Sequence, residues 1–133
     1  MTPKFQTIGE IKLGNMLFAR ENSSVFDVAA TLLDTHESGM PVIDHNDRVV
    51  GFISEQDILQ ALRGIGRLEE IAVKEIMNPL VVVAEEDATL EDVSRVMEDL
   101  RIHRLPVVSG TRLIGTVTRH DLIRAWLGVN VTR

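Results

Sequence analysis

Two four-residue groups stand out as places where side chains could do chemistry. Ser54-Glu55-Gln56-Asp57 and Thr118-Arg119-His120-Asp121 both read S/T-x-x-D. A hydroxyl followed three residues later by a carboxylate is a helix-start pattern. The hydroxyl accepts from a backbone N–H, and the acid faces the positive end of the helix dipole. That role needs no ligand, and the chain repeats it at Ser24/Asp27 and Thr89/Asp92, so pattern alone favours capping. The same groups are open to a second chemistry. A carboxylate can accept both hydroxyls of a vicinal diol such as a ribose, and unbonded N–H groups at a helix start attract phosphate. The two roles are compatible if the acid turns outward. A third group, Ile102-His103-Arg104, stands before Leu105-Pro106. Arginine presents a fixed fork of donors suited to phosphate oxygens. Equally, cations here offset the C-terminal dipole of a preceding helix. The stretch before Pro41, Glu37-Ser38-Gly39-Met40, is not basic, and Gly39 leaves room for a close backbone approach.

Other chemistries find no support. Cysteine is absent, which removes disulfides, thiolate metal sites and cysteine nucleophiles. The four histidines, His36, His45, His103 and His120, lack the H-E-x-x-H spacing, so no metal site is expected. There is no Walker A loop, no G-x-G-x-x-G and no G-x-S-x-G, and no paired acid and base stands beside a nucleophile. No enzyme activity is expected. A net charge of −6 and a pI near 5.1 argue against a nucleic-acid partner. The longest apolar run, Leu80 to Ala84, is too short to span a bilayer, and Met1 to Gln6 is polar. No membrane partner and a cytoplasmic location are therefore expected. Trp126, the one tryptophan, reads as a core or interface anchor.

The elements that must position these groups come in two copies. Shifted by 65 residues, Glu10-Ile11 falls on Glu75-Ile76, Ala19 on Ala84, Asp27-Val28 on Asp92-Val93 and Pro41-Val42 on Pro106-Val107. Beyond the turn the shift becomes 64, and Gly51 falls on Gly115, Asp57 on Asp121 and Ala61 on Ala125. The lost residue sits where His45-Asn46-Asp47 answers to Gly110-Thr111, a hairpin turn that tolerates a length change. In the second copy, Val81 to Val83 reads as a strand, and Thr89 caps a helix carrying Leu90, Val93, Met97 and Leu100. Strands at Leu105 to Val108 and Leu113 to Val117 follow, then a helix from Thr118 to about Leu127 with Gly128 as its stop. The first copy repeats this: Met16 to Ala19, a helix after Ser24 with Val25, Val28, Leu32 and His36 on one face, Met40 to Ile43, Val49 to Ile53, and a helix from Ser54 to Arg63. The expected organisation is a repeat over 7–63, a linker over 64–72 tied down by Leu68 and Ile71, and a repeat over 73–128. Units of this size bury little surface alone, so two sharing one core about a pseudo-two-fold axis is a physical reason for duplication.

At this point the residues have a likeness. Met40-Pro41-Val42-Ile43, Val49-Val50-Gly51-Phe52-Ile53-Ser54 and Asp57-Ile58-Leu59 resemble the C-terminal half of a cystathionine-β-synthase (CBS) domain. So do His103 to Val108, Leu113-Ile114-Gly115, Thr118 and Asp121-Leu122-Ile123, while Glu75-Ile76-Met77, Val81 to Val83 and Asp87 to Leu90 look like its opening segment. The resemblance spans about Thr7 to Leu127. It implies an α/β (α+β) fold, with two β-α-β-β-α repeats paired as a Bateman module that stands alone.

The resemblance also implies two clefts for an adenosine-containing ligand such as AMP, ADP, ATP, NAD or S-adenosylmethionine. A module of this kind regulates a partner protein. Carried over residue by residue, cleft one takes Ser54, Gln56, Asp57, Ala72, Met77, Ile102, His103 and Arg104. Cleft two takes Thr118, His120, Asp121, Thr7, Lys12, Ser38, Gly39 and Met40, with Arg119 and Lys12 as its cations. Ile8, Val73, Ile53 and Val117 could hold an adenine or serve as core. A homodimer is expected through the apolar helix positions Val25, Val28 and Leu32 with Leu90, Val93 and Met97. The competing expectation is a purely structural dimerisation module.

Overall fold

A computed structural model describes residues 7–14, 17–64 and 66–128. They form two compact units, 17–64 with 66–81, and 7–14 with 82–128.

The first unit runs β1 (Ala19–Arg20), α1 (Val25–Thr35), β2 (Gly39–Ile43), β3 (Val49–Ser54) and α2 (Glu55–Gly64). Its three-stranded sheet has the order β1-β2-β3, with β1 parallel to β2 and β2 antiparallel to β3. The parallel pair requires a crossover, and α1 supplies it. Val25, Val28 and Leu32 recur at helical spacing, and together with Ile58 and Ala61 of α2 they cover Met40, Val42 and Ile53 of the sheet. Ser24 starts α1 by accepting from the Asp27 N–H at 3.1 Å. His36 ends it in the left-handed region at φ 58°. Sequence spacing put His36 on the inward face. The left-handed cap breaks the helical period there and leaves the imidazole exposed.

The second unit repeats the order with β4 (Ala84–Glu85), α3 (Leu90–Leu100), β5 (Arg104–Ser109), β6 (Arg112–Thr118) and α4 (Arg119–Leu127). Its core gathers Leu90, Val93 and Met97 of α3 and Leu122 and Ala125 of α4 over Leu105, Val107 and Val117. α4 stops at Gly128, φ 72°.

The first strand of each copy differs from expectation. Of Met16 to Ala19, Met16 lies outside the described residues and Leu17 and Phe18 join no ladder; the strand is Ala19–Arg20, opposite Val42 and Ile43. Likewise Val81 to Val83 precedes the strand, and Ala84–Glu85 pairs with Val107 and Val108. β-branched residues favour extended backbone, but a strand forms only where a partner offers its hydrogen bonds.

The opening segments are exchanged between the sequence copies. Residues 66–81 complete the first unit: Leu68 and Ile71 are buried in its core, Val25 N–H donates to the Ile71 carbonyl at 2.8 Å, and Phe52 and Asn78 bond each other's backbones at 2.9 and 2.8 Å. Residues 7–14 complete the second unit: Ile8 and Ile11 are buried, Ile8 N–H donates to the Ala88 carbonyl at 2.9 Å and Gly14 N–H to the Thr116 carbonyl at 2.8 Å. The helix stripes expected to be left over for a second copy are consumed here. Val25, Val28, Leu32, Leu90, Val93 and Met97 are each at most 4% exposed. A half-sheet of three short strands leaves each helix pair its own sheet face to cover, and these residues cover it.

Candidate functional site

Ser54-to-Asp57 and Thr118-to-Asp121 each sit where the last strand of a sheet hands over to a helix. In the first unit Ser54 ends β3 opposite Gly39, and the Glu55 N–H donates to the Ser38 carbonyl at 2.9 Å. The Ser54 hydroxyl accepts from the Asp57 N–H at 3.2 Å and donates to Asp57 Oδ2 at 3.0 Å, while Ser54 N–H donates to the same oxygen at 2.9 Å. This is a complete capping box. All the Asp57 bonds fall on Oδ2, so Oδ1 of this half-buried carboxylate accepts nothing among the described residues.

In the second unit Thr118 Oγ1 accepts from the Asp121 N–H at 3.2 Å, and Thr118 N–H donates to Asp121 Oδ2 at 2.8 Å. Here the outer oxygen is engaged. Arg124 Nη1 donates to Asp121 Oδ1 at 3.1 Å, with the Asp121 side chain 15% and the Arg124 side chain 49% exposed. Spacing of three along a helix is the sequence signal for this pair.

The other two caps are of a lesser kind. Ser24 and Thr89 accept from the N–H of Asp27 and Asp92, but neither carboxylate folds back, and both acids are exposed. The four groups look alike in sequence. Only Ser54/Asp57 and Thr118/Asp121 hold a carboxylate half-buried at the strand-to-helix junction.

The remaining candidates divide between the units. In the first, Gly39 and Met40 are buried, Ser38 and Gln56 exposed, and Ala72 and Met77 half-buried. The space beside Gly39 is taken within its own unit: a Cβ there would meet the Phe52 ring at 2.6 Å and the Ile53 carbonyl at 2.8 Å. Ala72 N–H donates to Glu75 Oε2 at 2.8 Å. In the second unit, the Thr7 N–H and hydroxyl both donate to Glu10, at 3.1 and 2.9 Å. Arg104 opens β5 opposite Thr118 and donates through Nη1 to Oγ1 of the buried Thr116 at 3.1 Å. Ile102 is half-buried, and His103, Lys12, Arg119 and His120 are exposed. Ile8, Ile53, Val73 and Val117 are each 0% exposed, which gives their side chains to the cores. Leu13 lies against Gly115 as Met77 lies against Gly51, so Leu13 packs in the second unit where Met77 packs in the first.

Two β-α-β-β-α repeats, forming two mixed three-stranded sheets and each closing on a boxed S/T-x-x-D helix start, define a tandem-repeat α/β protein. The chain belongs to the CBS domain family, whose model matches it twice, over residues 8–64 and 73–128. The protein MJ1225 of Methanocaldococcus jannaschii is 30% identical over 90% of this chain and 42% of its own length. The chloroplastic CBS domain-containing protein CBSX1 of Arabidopsis thaliana is 28% identical over 92% of this chain and 65% of its own. This chain thus spans less than two thirds of either relative. Among solved structures, CBSX2 in complex with AMP is 30% identical with a TM-score of 0.76, covering 94% of this chain and 98% of that one. The CBS pair of MJ0100, solved with 5-methylthioadenosine and S-adenosyl-L-methionine, is 28% identical with a TM-score of 0.69, covering 93% and 98%. No helix among the described residues is long and apolar enough to cross a membrane.

Proposed function

We propose that this chain is a non-catalytic regulatory module that binds an adenosine-containing ligand and signals its presence to a partner protein. The observation that supports this best is Asp57, a half-buried carboxylate with one oxygen committed to the helix start and the other unbonded among the described residues. A ribose hydroxyl is a donor that such an oxygen can accept. The AMP complex of the similar CBSX2 supports the ligand class. In this reading Ser38, Gly39, Met40, Ser54, Gln56, Asp57, Ala72 and Met77 of the first unit take part in ligand binding. Thr7, Lys12, Ile102, His103, Arg104, Thr118, Arg119, His120 and Asp121 of the second unit do so as well. The repeats are taken as 7–63 and 73–128 around the linker 64–72. A ligand that binds two arrangements of the module unequally shifts their populations, and a partner reads the shift.

The test is a thermal-shift panel of AMP, ADP, ATP, NAD and S-adenosylmethionine, followed by calorimetry. A ligand at 100 times its Kd adds about 2.7 kcal/mol of stability. Asp57→Ala should weaken one site by about 1.5–3 kcal/mol. No shift with any of the five at millimolar concentration leaves the structural dimerisation module as the better reading. A homodimer belongs to the proposal as well. With the inward stripes used in the cores, exposed helix residues available to it are Leu33 and Leu59 in the first unit and Ile123 and Leu127 in the second. Sedimentation at micromolar concentration should give twice the chain mass, and a single-chain mass with and without nucleotide removes the dimer.

A further inference from the structure

The two boxed carboxylates are chemically unequal, and the cause is one residue. Asp57 Oδ1 accepts nothing among the described residues, whereas Asp121 Oδ1 is held by Arg124 at 3.1 Å. Both acids spend Oδ2 on the N–H of their cap residue, so Oδ1 is the oxygen left for any ligand in each unit. The position matching Arg124 in the first unit is Gln60, exposed and without a hydrogen bond to Asp57. We infer that Arg124 is a specificity-determining residue that latches Asp121 and makes the second-repeat carboxylate the weaker partner for a neutral diol. This rests on the reading of Asp57 and Asp121 as ribose acceptors.

The physical argument is a competition at one oxygen. A guanidinium brings an opposite full charge to the carboxylate together with its hydrogen bond, whereas a hydroxyl brings only the hydrogen bond of a neutral donor to a charged acceptor. A diol arriving at Asp57 meets an unoccupied acceptor. One arriving at Asp121 must displace Arg124 or share the oxygen's second lone pair with it. Arg124 is about half exposed, so the latch is of the modest surface kind, and its effect on affinity is about two- to five-fold. The same pairing makes the second carboxylate sensitive to salt, because screening weakens an exposed ion pair.

The experiment isolates each site and moves the latch. AMP affinity is measured by calorimetry on the full chain in four variants. Asp57→Ala leaves the second-repeat site, and adding Arg124→Gln gives it the side chain of position 60. Asp121→Ala leaves the first-repeat site, and adding Gln60→Arg installs the latch opposite Asp57. The expected result is a two- to five-fold gain from Arg124→Gln in the first background and a loss of similar size from Gln60→Arg in the second. Unchanged affinity in both overturns the inference while leaving the ribose reading intact. Weaker binding on Arg124→Gln also overturns it, since Arg124 would then be a ligand contact. Absence of AMP binding by the unaltered chain defeats the ribose reading itself, and the inference falls with it. Circular dichroism on each variant identifies any that fails to fold, and the reciprocal pair then carries the test.

Discussion

A Cβ placed on Gly51 would lie 2.6 Å from Sδ of Met77 and 3.0 Å from the Asn78 carbonyl. In the other unit a Cβ on Gly115 would lie 2.8 Å from Cβ of Leu13. These glycines let the opening segment of one sequence copy lie against the hairpin of the other. Gly51→Ala and Gly115→Ala should each destabilise by about 1–3 kcal/mol through overpacking. Sδ is the far end of a flexible side chain, so Met77→Ala should restore part of the loss in Gly51→Ala. Gly115→Ala meets the root of Leu13 and has less room to relax. Urea unfolding measures both, and a Gly115→Ala chain as stable as the parent would show that the segment is not held there.

The caps should separate into two classes. Asp57→Ala removes the acceptor for the Ser54 N–H and hydroxyl, and should cost about 1–2 kcal/mol even without ligand. Asp92→Ala removes a carboxylate that makes no such return bond and acts only on the dipole, a loss of about 0.3–1 kcal/mol. Chemical denaturation of the two variants side by side decides the matter. Equal losses would mean that the return bonds contribute nothing.

Adjacent leucines of α1 should differ sharply. Leu32 is 4% exposed and Leu33 is 75% exposed. Leu32→Ala should cost about 2–5 kcal/mol through lost burial and the cavity left behind. Leu33→Ala should change monomer stability by less than about 0.5 kcal/mol. If Leu33→Ala proves the costlier change and the cost rises with protein concentration, the outer face of α1 is the oligomer contact.

One acid-dependent increment of stability should map to the first hairpin. Asp44 Oδ1 accepts the backbone N–H of Arg48 at 3.0 Å and of Asn46 at 2.8 Å. The Arg48 N–H, foremost, holds the Asp44 carboxyl below its ordinary value. A carboxylate depressed in the folded state contributes stability above its unfolded pKa, and the contribution disappears as pH falls through the folded pKa. Asp44→Asn should therefore be less stable than the parent at neutral pH, and the difference should close in acid. A Tm difference constant across that range would assign the effect to the turn's geometry and not to its charge.

The local patterns of this chain carried most of its architecture. The repeat, the hairpins on either side of Gly51 and Gly115, the helix stop at Gly128 and the caps at Ser24, Ser54, Thr89 and Thr118 were all legible. Each depends on residues a few positions apart, and helix period, turn chemistry and N-cap chemistry act over that range. The first strands were misplaced because a strand end is set by its partner: Ala84–Glu85 is defined by Val107 and Val108, more than twenty residues away. Tertiary structure alone decided that the opening segments are exchanged and that Leu13 packs in the second unit where Met77 packs in the first. It also decided that Val25, Val28 and Leu32 close a core and are not left over for a second copy. The same holds at the candidate site. Four S/T-x-x-D helix starts share one sequence signature, but where a carboxylate points depends on what surrounds the helix start. At Asp57 the strand-to-helix junction folds the acid back and leaves one oxygen open, and at Asp121 a neighbouring guanidinium takes that oxygen.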